Sequence, residues 1–341
     1  MNKPLAYIGS LVLLVAAWLA GVAVGSLPIP LPVIIGAIAE AISPYQSNID
    51  PINISIIVDV RTPRVVLAGL VGASLAIAGA SFQGLLQNPL ADPYTLGVSS
   101  GASVGAVLVL FVGFSFPVFA SFTLPIVSIC TAVLTLLFVI GFARMLDRTL
   151  SIETLILTGI VMGSFLGSVI SLMIALTGEE LRQIVGWLLG SVAMRGWSHV
   201  GLLLPFFIVG VLLLLTQGQE LNAMSLGEER AKQLGVPTEK RKALILLAAS
   251  ILTGAAVAVS GTIGFVGLVV PHICRRVFGN DHRHLIPLSL INGATFLILA
   301  DLVSRTIIAP VELPIGVITS LIGAPIFAFI LYRQRRKGAS I

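Results

Sequence analysis

Charge is scarce in this sequence. Only 10% of its 341 residues are Asp, Glu, Lys or Arg, against roughly 25% in a soluble domain, whose surface must stay in water. That excludes a water-exposed globule of this size. Cysteine is nearly absent as well. Cys130 and Cys274 stand in or beside apolar runs, which excludes a disulfide framework and leaves each as a small apolar filler. No HExxH and no GxSxG occurs, so neither a zinc protease nor a serine hydrolase elbow is present. No GxxxxGK[ST] phosphate loop occurs either, so ATP hydrolysis by this chain is not expected. His272 beside Pro271 has no second metal ligand at useful spacing, while His282 and His284 sit in a charged loop. Neither a metal site nor a cofactor is expected.

What the chain has is hydrophobic length. Hydrophobic residues make up 57% of it, and the mean hydropathy is +1.06. A bilayer crossing takes about 20 mostly apolar residues. Ten stretches qualify: 5–26, 62–85, 94–114, 121–144, 153–176, 197–216, 242–262, 263–279, 284–307 and 314–333. The expected fold is therefore an all-α polytopic membrane protein of about ten transmembrane helices. The eighth stretch is short and holds Pro271, so a broken or tilted helix is expected there. The first exceeds the roughly 7–15 apolar residues of a signal peptide and reads as a retained helix.

Basic residues set the orientation. With the N-terminus inside, only Arg61, Arg64, Arg182, Arg195 and Arg305 of the 20 Lys and Arg fall outside. Inner loops collect the rest, including Arg148 and the tail Arg333–Lys337, which places both termini in the cytoplasm. The net charge of +5 thus reflects topology and an interfacial anchor in lipid, not nucleic-acid binding. No segment outside the membrane is long enough for a catalytic globule, so the chain reads as one transmembrane domain over 1–341. Glycines at four-residue intervals, Gly159, Gly163 and Gly167 and again Gly101 and Gly105, predict close helix packing.

Three segments hold more than packing information. In the inner stretch 217–240, Ser225 and Glu228 match a capping box, and Gly235 then Pro237 match a helix stop. They predict a helix from Leu226 to Leu234, either resting on its own bundle or docked in a partner's groove. Outside, Arg61-Thr-Pro-Arg64 opens the second span, with Pro63 suited to a helix start. Its two guanidiniums suit lipid phosphates or a partner's carboxylates. Arg305 stands near an outer end too, with Asp301 one turn earlier as a local ion pair. Between spans two and three, Gln87-Asn-Pro-Leu-Ala-Asp-Pro93 forbids regular helix, making it a tight turn or a constriction lining a pathway.

Taken together, Arg61–Arg64, Gly79–Gly84, Asn88–Gly101, Gly261–His272, Ala300–Thr306 and Glu312–Pro325 resemble the FecCD-type permeases of bacterial ABC importers for ferric siderophores, heme and cobalamin. The resemblance runs from about residue 55 to the C-terminus. It implies ten helices per subunit in the bacterial cytoplasmic (inner) membrane. A second permease subunit, identical or a paralogue, an ABC ATPase subunit dimer and an extracytoplasmic substrate-binding protein are the implied partners. Carried over by position, Arg61, Arg64 and Arg305 match the arginines that receive the binding protein's glutamates. Ser225, Leu226, Gly227, Glu228, Glu229, Ala231, Leu234 and Gly235 match the helix coupled to the ATPase, and Asn88 and Leu90 match the inner gate. The implied function is ATP-driven alternating access for an iron–siderophore or similar chelate, with cobalamin or heme as alternatives. An ion-coupled secondary transporter is the rival class, and it needs buried ionisable residues, of which Asp301 is the sole candidate.

Overall fold

The computed structural model describes residues 3–25, 29–42, 49–117, 120–147 and 151–338. Among these there are helices and connections and no strand. The ten expected spans appear in order as α1 (Lys3–Ala23), α4 (Thr62–Leu85), α5 (Val98–Val112), α6 (Thr123–Leu146) and α7 (Ile152–Leu176). They continue as α9 (Trp197–Leu215), α12 (Thr238–Ser260), α13 (Val266–Phe278), α14 (His282–Thr306) and α15 (Ile315–Gly338). Five short helices lie between them: α2 (Leu31–Ile42), α3 (Pro51–Ser55), α8 (Leu181–Leu188), α10 (Gly218–Met224) and α11 (Glu228–Gln233). Arg148 lies outside the described residues.

Helix α4 is the axis of the bundle, buried along nearly its whole length. Small residues make this possible. A Cβ on Gly72 would sit 2.3 Å from the Gly293 carbonyl oxygen of α14, and one on Gly79 only 1.9 Å from that of Gly267 on α13. Backbone therefore meets backbone, the arrangement that dispersion rewards where lipid is as apolar as leucine. Gly101 and Gly105 behave as the sequence predicts, pressing α5 onto Thr135 and Thr131 of α6. The Gly159 stripe is used only in part. Gly159 meets Thr95 and Leu96, while a Cβ on Gly167 would have nothing within 4 Å among the described residues, and most of α7 faces outward.

Several boundaries differ from expectation. The α-helix of the second span begins at Thr62 with Pro63 in its first turn, as expected, but helical backbone precedes it without a break from Pro51. A π-helical turn over Ile56–Arg61 precedes Pro63, and Thr62 Oγ1 donates to the Ile57 carbonyl. The helix is thus widened just ahead of a residue that has no N–H to give. The eighth span is only 13 residues, about 20 Å, and falls short of the roughly 30 Å hydrocarbon layer. It starts after an irregular stretch that ends at Phe265 in left-handed backbone (φ 68°). Cys274 is buried as expected, but Cys130 lies exposed on α6.

Candidate functional site

On the outer side, the three arginines carried over from sequence come together around a cavity of about 240 Å³, with Gly25 and Glu312 also in its wall. They do not project freely. Arg61 donates through Nη1 to the carbonyls of Val22 (2.9 Å) and Ala23 (3.0 Å), and Arg305 donates to that of Gly21. These carbonyls form the C-terminal end of α1, where a helix leaves acceptors unpaired and carries partial negative charge. Arg64 holds Asp301 with a forked pair of donors, Nε at 3.0 Å and Nη2 at 2.9 Å, and reaches Glu312 through Nη1 at 2.9 Å. The expected Arg305–Asp301 pair is present at 3.6 Å. Arg64 and Arg305 thus share the two carboxylates, and Asp301, 1% exposed, is held by both cations.

On the cytoplasmic side, the segment 217–240 folds as two helices, α10 and α11, rather than one. The capping box does not form. Ser225 donates its hydroxyl to the Asn222 carbonyl instead, and Gly227 (φ 103°) stands at the α11 N-cap without a side-chain bond. Glu228 is drawn away by Lys242, whose nearly buried ammonium lies 2.5 Å from its carboxylate, and Thr238 adds a bond at 3.2 Å. A buried cation is the stronger claim on a carboxylate than a helix-end N–H. These contacts hold the Glu228 carboxyl below its usual range against the opposing effect of desolvation. The helix stop forms as predicted: Gly235 is left-handed (φ 84°), with Gly235 N–H on the Lys232 carbonyl and Val236 N–H on that of Ala231. Ala231 is buried, Glu229 is exposed, and Leu226 (54%) and Leu234 (64%) present apolar side chains outward.

Above α10, the α4 helix ends in the turn that bears Asn88 and Leu90. Both are exposed, and Asn88 Oδ1 accepts from Leu90 N–H at 2.9 Å, an Asx turn ahead of the second proline. The chain then re-enters the bundle, where Tyr94 donates to the Ile263 carbonyl at 2.8 Å. A matching irregular segment enters from outside. Thr262 Oγ1 donates to the Leu188 carbonyl at the end of α8, and Ser191 N–H to that of Ser260 at 2.7 Å. Inner and outer segments meet beside a hollow of about 460 Å³ walled by Tyr94, Ser99, Leu188, Thr262, Gly316 and Ser320. Non-helical backbone at this depth is tolerated because protein covers it or because it lines a water-filled path. No group of three His, Cys, Asp or Glu side chains suited to a metal ion occurs among the described residues.

The profile of the FecCD transport family matches residues 11–333. The chain belongs to that family. It is 58% identical over its whole length to an uncharacterised ABC transporter permease of Bacillus subtilis, YvrB, covering 97% of that protein. It is 41% identical over 297 residues to the cobalamin import permease BtuC of Halobacterium salinarum, covering 85% of this chain and 76% of the relative. A solved structure described as an inward-facing metal-chelate type ABC transporter superposes with a TM-score of 0.86 at 33% identity, covering 97% of this chain and 99% of the other. FecCD permeases are multi-pass proteins of the cytoplasmic (inner) membrane; they are not enzymes, and the ATPase is a separate subunit. Family membership implies an ATPase and a binding protein as the kinds of partner.

Within this FecCD permease, three features escape sequence reasoning. Glu312 lies opposite Arg64 across 248 positions. Helix α8 lies between two expected spans, and its LRQIVGWL stretch is amphipathic. Gln87 adopts left-handed backbone (φ 49°), which nothing in its own chemistry announces.

Proposed function

We propose that the chain, as a single permease domain over 1–341, imports a metal chelate by alternating access driven by a dimer of separate ATPase subunits. A second permease subunit completes the pathway. The observation that supports this most is the cytoplasmic segment: two leucines, Leu226 and Leu234, stand exposed at either end of α11, which the Glu228–Lys242 ion pair fixes to the bundle. Exposed apolar side chains on a preformed element are the expected marking of a partner groove.

Ser225 to Gly235 then form the ATPase contact, Asn88 and Leu90 the inner gate, and Arg61, Arg64 and Arg305 the outer docking site. Burial of the arginines refines the docking role. Arg61 and Arg305 close the end of α1, whereas Arg64, through its half-exposed partner Glu312, is the one whose pairing a carboxylate from a binding protein can replace. The outward face of α7 suits the second permease subunit.

The cargo proposed is a metal chelate, because the hollow between the re-entrant segments is lined by aliphatic and hydroxyl side chains, glycines and Tyr94, with no acid among the described lining residues for a bare cation. Uptake assays with labelled cyanocobalamin, hemin and a ferric hydroxamate siderophore, in cells expressing the full importer, test this. Accumulation of one of them that depends on this chain is expected. Failure of all three alongside uptake of a free metal ion contradicts the chelate reading.

A further inference from the structure

The end of α4 contains an anomaly. Its closing turn has the two bonds of a Schellman motif, Gln87 N–H to the Gly84 carbonyl (3.4 Å) and Asn88 N–H to that of Gln83 (3.2 Å). The position between them requires left-handed backbone, where glycine is favoured and other residues are strained. Here it is Gln87, φ 49°. Its side chain reaches down to the cytoplasmic segment, where Nε2 donates to the Met224 carbonyl at 2.6 Å, at the C-terminal end of α10. Strain of this kind persists where surrounding contacts hold it and marks a candidate for function.

A second tie lies two residues back along α10. Asn222 Nδ2 donates to Asp281 Oδ1 at 2.7 Å, and its Oδ1 accepts from His282 N–H at 2.9 Å with His282 Nδ1 also at 2.9 Å. His282 in turn presses on the end of α4, so closely that a Cβ on Gly84 would lie 2.4 Å from Nε2. Leu221 packs on the same glycine. One short helix is therefore fastened at two points to the turn that bears Asn88 and Leu90, once directly and once through the start of α14.

We propose that Gln87 and Asn222 are positioning residues that make α10 and the Gln87–Leu90 turn move as one body, so that displacement of the cytoplasmic segment reaches the inner mouth without slack. This rests on the ATP-driven reading above and adds the residues that transmit it. The glycine substitution separates the proposal from a purely structural role. Gln87→Gly relieves the backbone strain and removes the hydrogen bond together, so it leaves folding intact or improved while the tie is lost.

The test uses the complete importer in inverted membrane vesicles, with Cys130→Ser and Leu90→Cys in the permease. Labelling of Cys at 90 by a membrane-impermeant maleimide is compared with and without vanadate-trapped ATP. The nucleotide-dependent ratio of labelling rates seen in the parent is expected to fall by about 5-fold in Gln87→Gly, the change that loss of one hydrogen bond of about 1 kcal/mol corresponds to. ATP turnover and co-purification of the ATPase persist in that variant. Asn222→Ala is expected to show a loss of similar size. A ratio within about twofold of the parent in both variants, beyond the reach of that conversion, overturns the proposal while leaving ATP-driven gating intact. A parent that shows no nucleotide response overturns the gating reading itself, and this proposal with it.

Discussion

Replacing Asp301 by Asn tests the electrostatic account of the outer site most sharply. The side chain keeps its size and loses its charge. Asp301 is 1% exposed and receives Arg64 Nε and Nη2 at 3.0 and 2.9 Å, with Arg305 Nε at 3.6 Å. Arg64 and Arg305 are themselves 12% and 6% exposed in their side chains. Breaking a buried ion pair by removing one partner costs about 3–5 kcal/mol, because the remaining charge stays out of water. Arg64 retains Glu312, and the arginines border a cavity, so the lower end, about 3 kcal/mol, is expected. Unfolding of the detergent-solubilised permease by a graded denaturing detergent measures it. The companion Arg64→Gln, Asp301→Asn double variant should recover part of the loss, since it removes the orphaned charge along with its partner. A single-variant loss below about 1 kcal/mol, the range of solvent-exposed pairs, would refute the claim that this site is desolvated.

Other outcomes follow from the same geometry. Glu312→Gln frees Arg64 Nη1 for an incoming carboxylate, so a glutamate-presenting binding protein should dock up to about 5-fold tighter, the worth of one exposed pair; unchanged or weaker affinity by titration counts against Arg64 as the docking residue. Leu226→Asp with Leu234→Asp should abolish co-purification of the ATPase with no loss of permease stability, because both side chains are exposed. Gly79→Ala forces α4 away from the Gly267 carbonyl and should cost about 1–3 kcal/mol by the same unfolding assay. Asp281 caps α14, and bonds from Arg283, with further help from Asn222, hold its carboxyl well below the usual range. Its stabilisation is therefore complete above the unfolded value of about 3.9 and is lost only as pH falls toward the folded value; Asp281→Ala should destabilise at pH 7, and its difference from the parent should shrink in strong acid.

The sequence made the spans legible because a bilayer demands a run length that composition alone reveals. Gly101, Gly105 and Gly235 were equally legible, since close packing and a left-handed helix stop each select glycine. Ser225 and Glu228 misled because a local motif competes with partners far along the chain, and Lys242 won Glu228. Pro63 does stand in the first turn of α4, but the π-helical turn that continues the helix ahead of it has no local signal. The three arginines do come together around one cavity, but their engagement with the end of α1 and with Glu312 depends on helices distant in sequence. Gln87 shows the limit most clearly: its strain and its bond to Met224 exist only once α4 and α10 are packed.

On the function proposed here, this FecCD permease moves its cargo only when a separate ATPase is bound and supplied with ATP. Proteoliposomes holding the permease alone, or the permease with its ATPase subunits, measure it directly when loaded binding protein is present outside and ATP is trapped within. Uptake confined to the complete, ATP-supplied vesicles is the result predicted. Uptake by the permease alone along a proton or sodium gradient would contradict it.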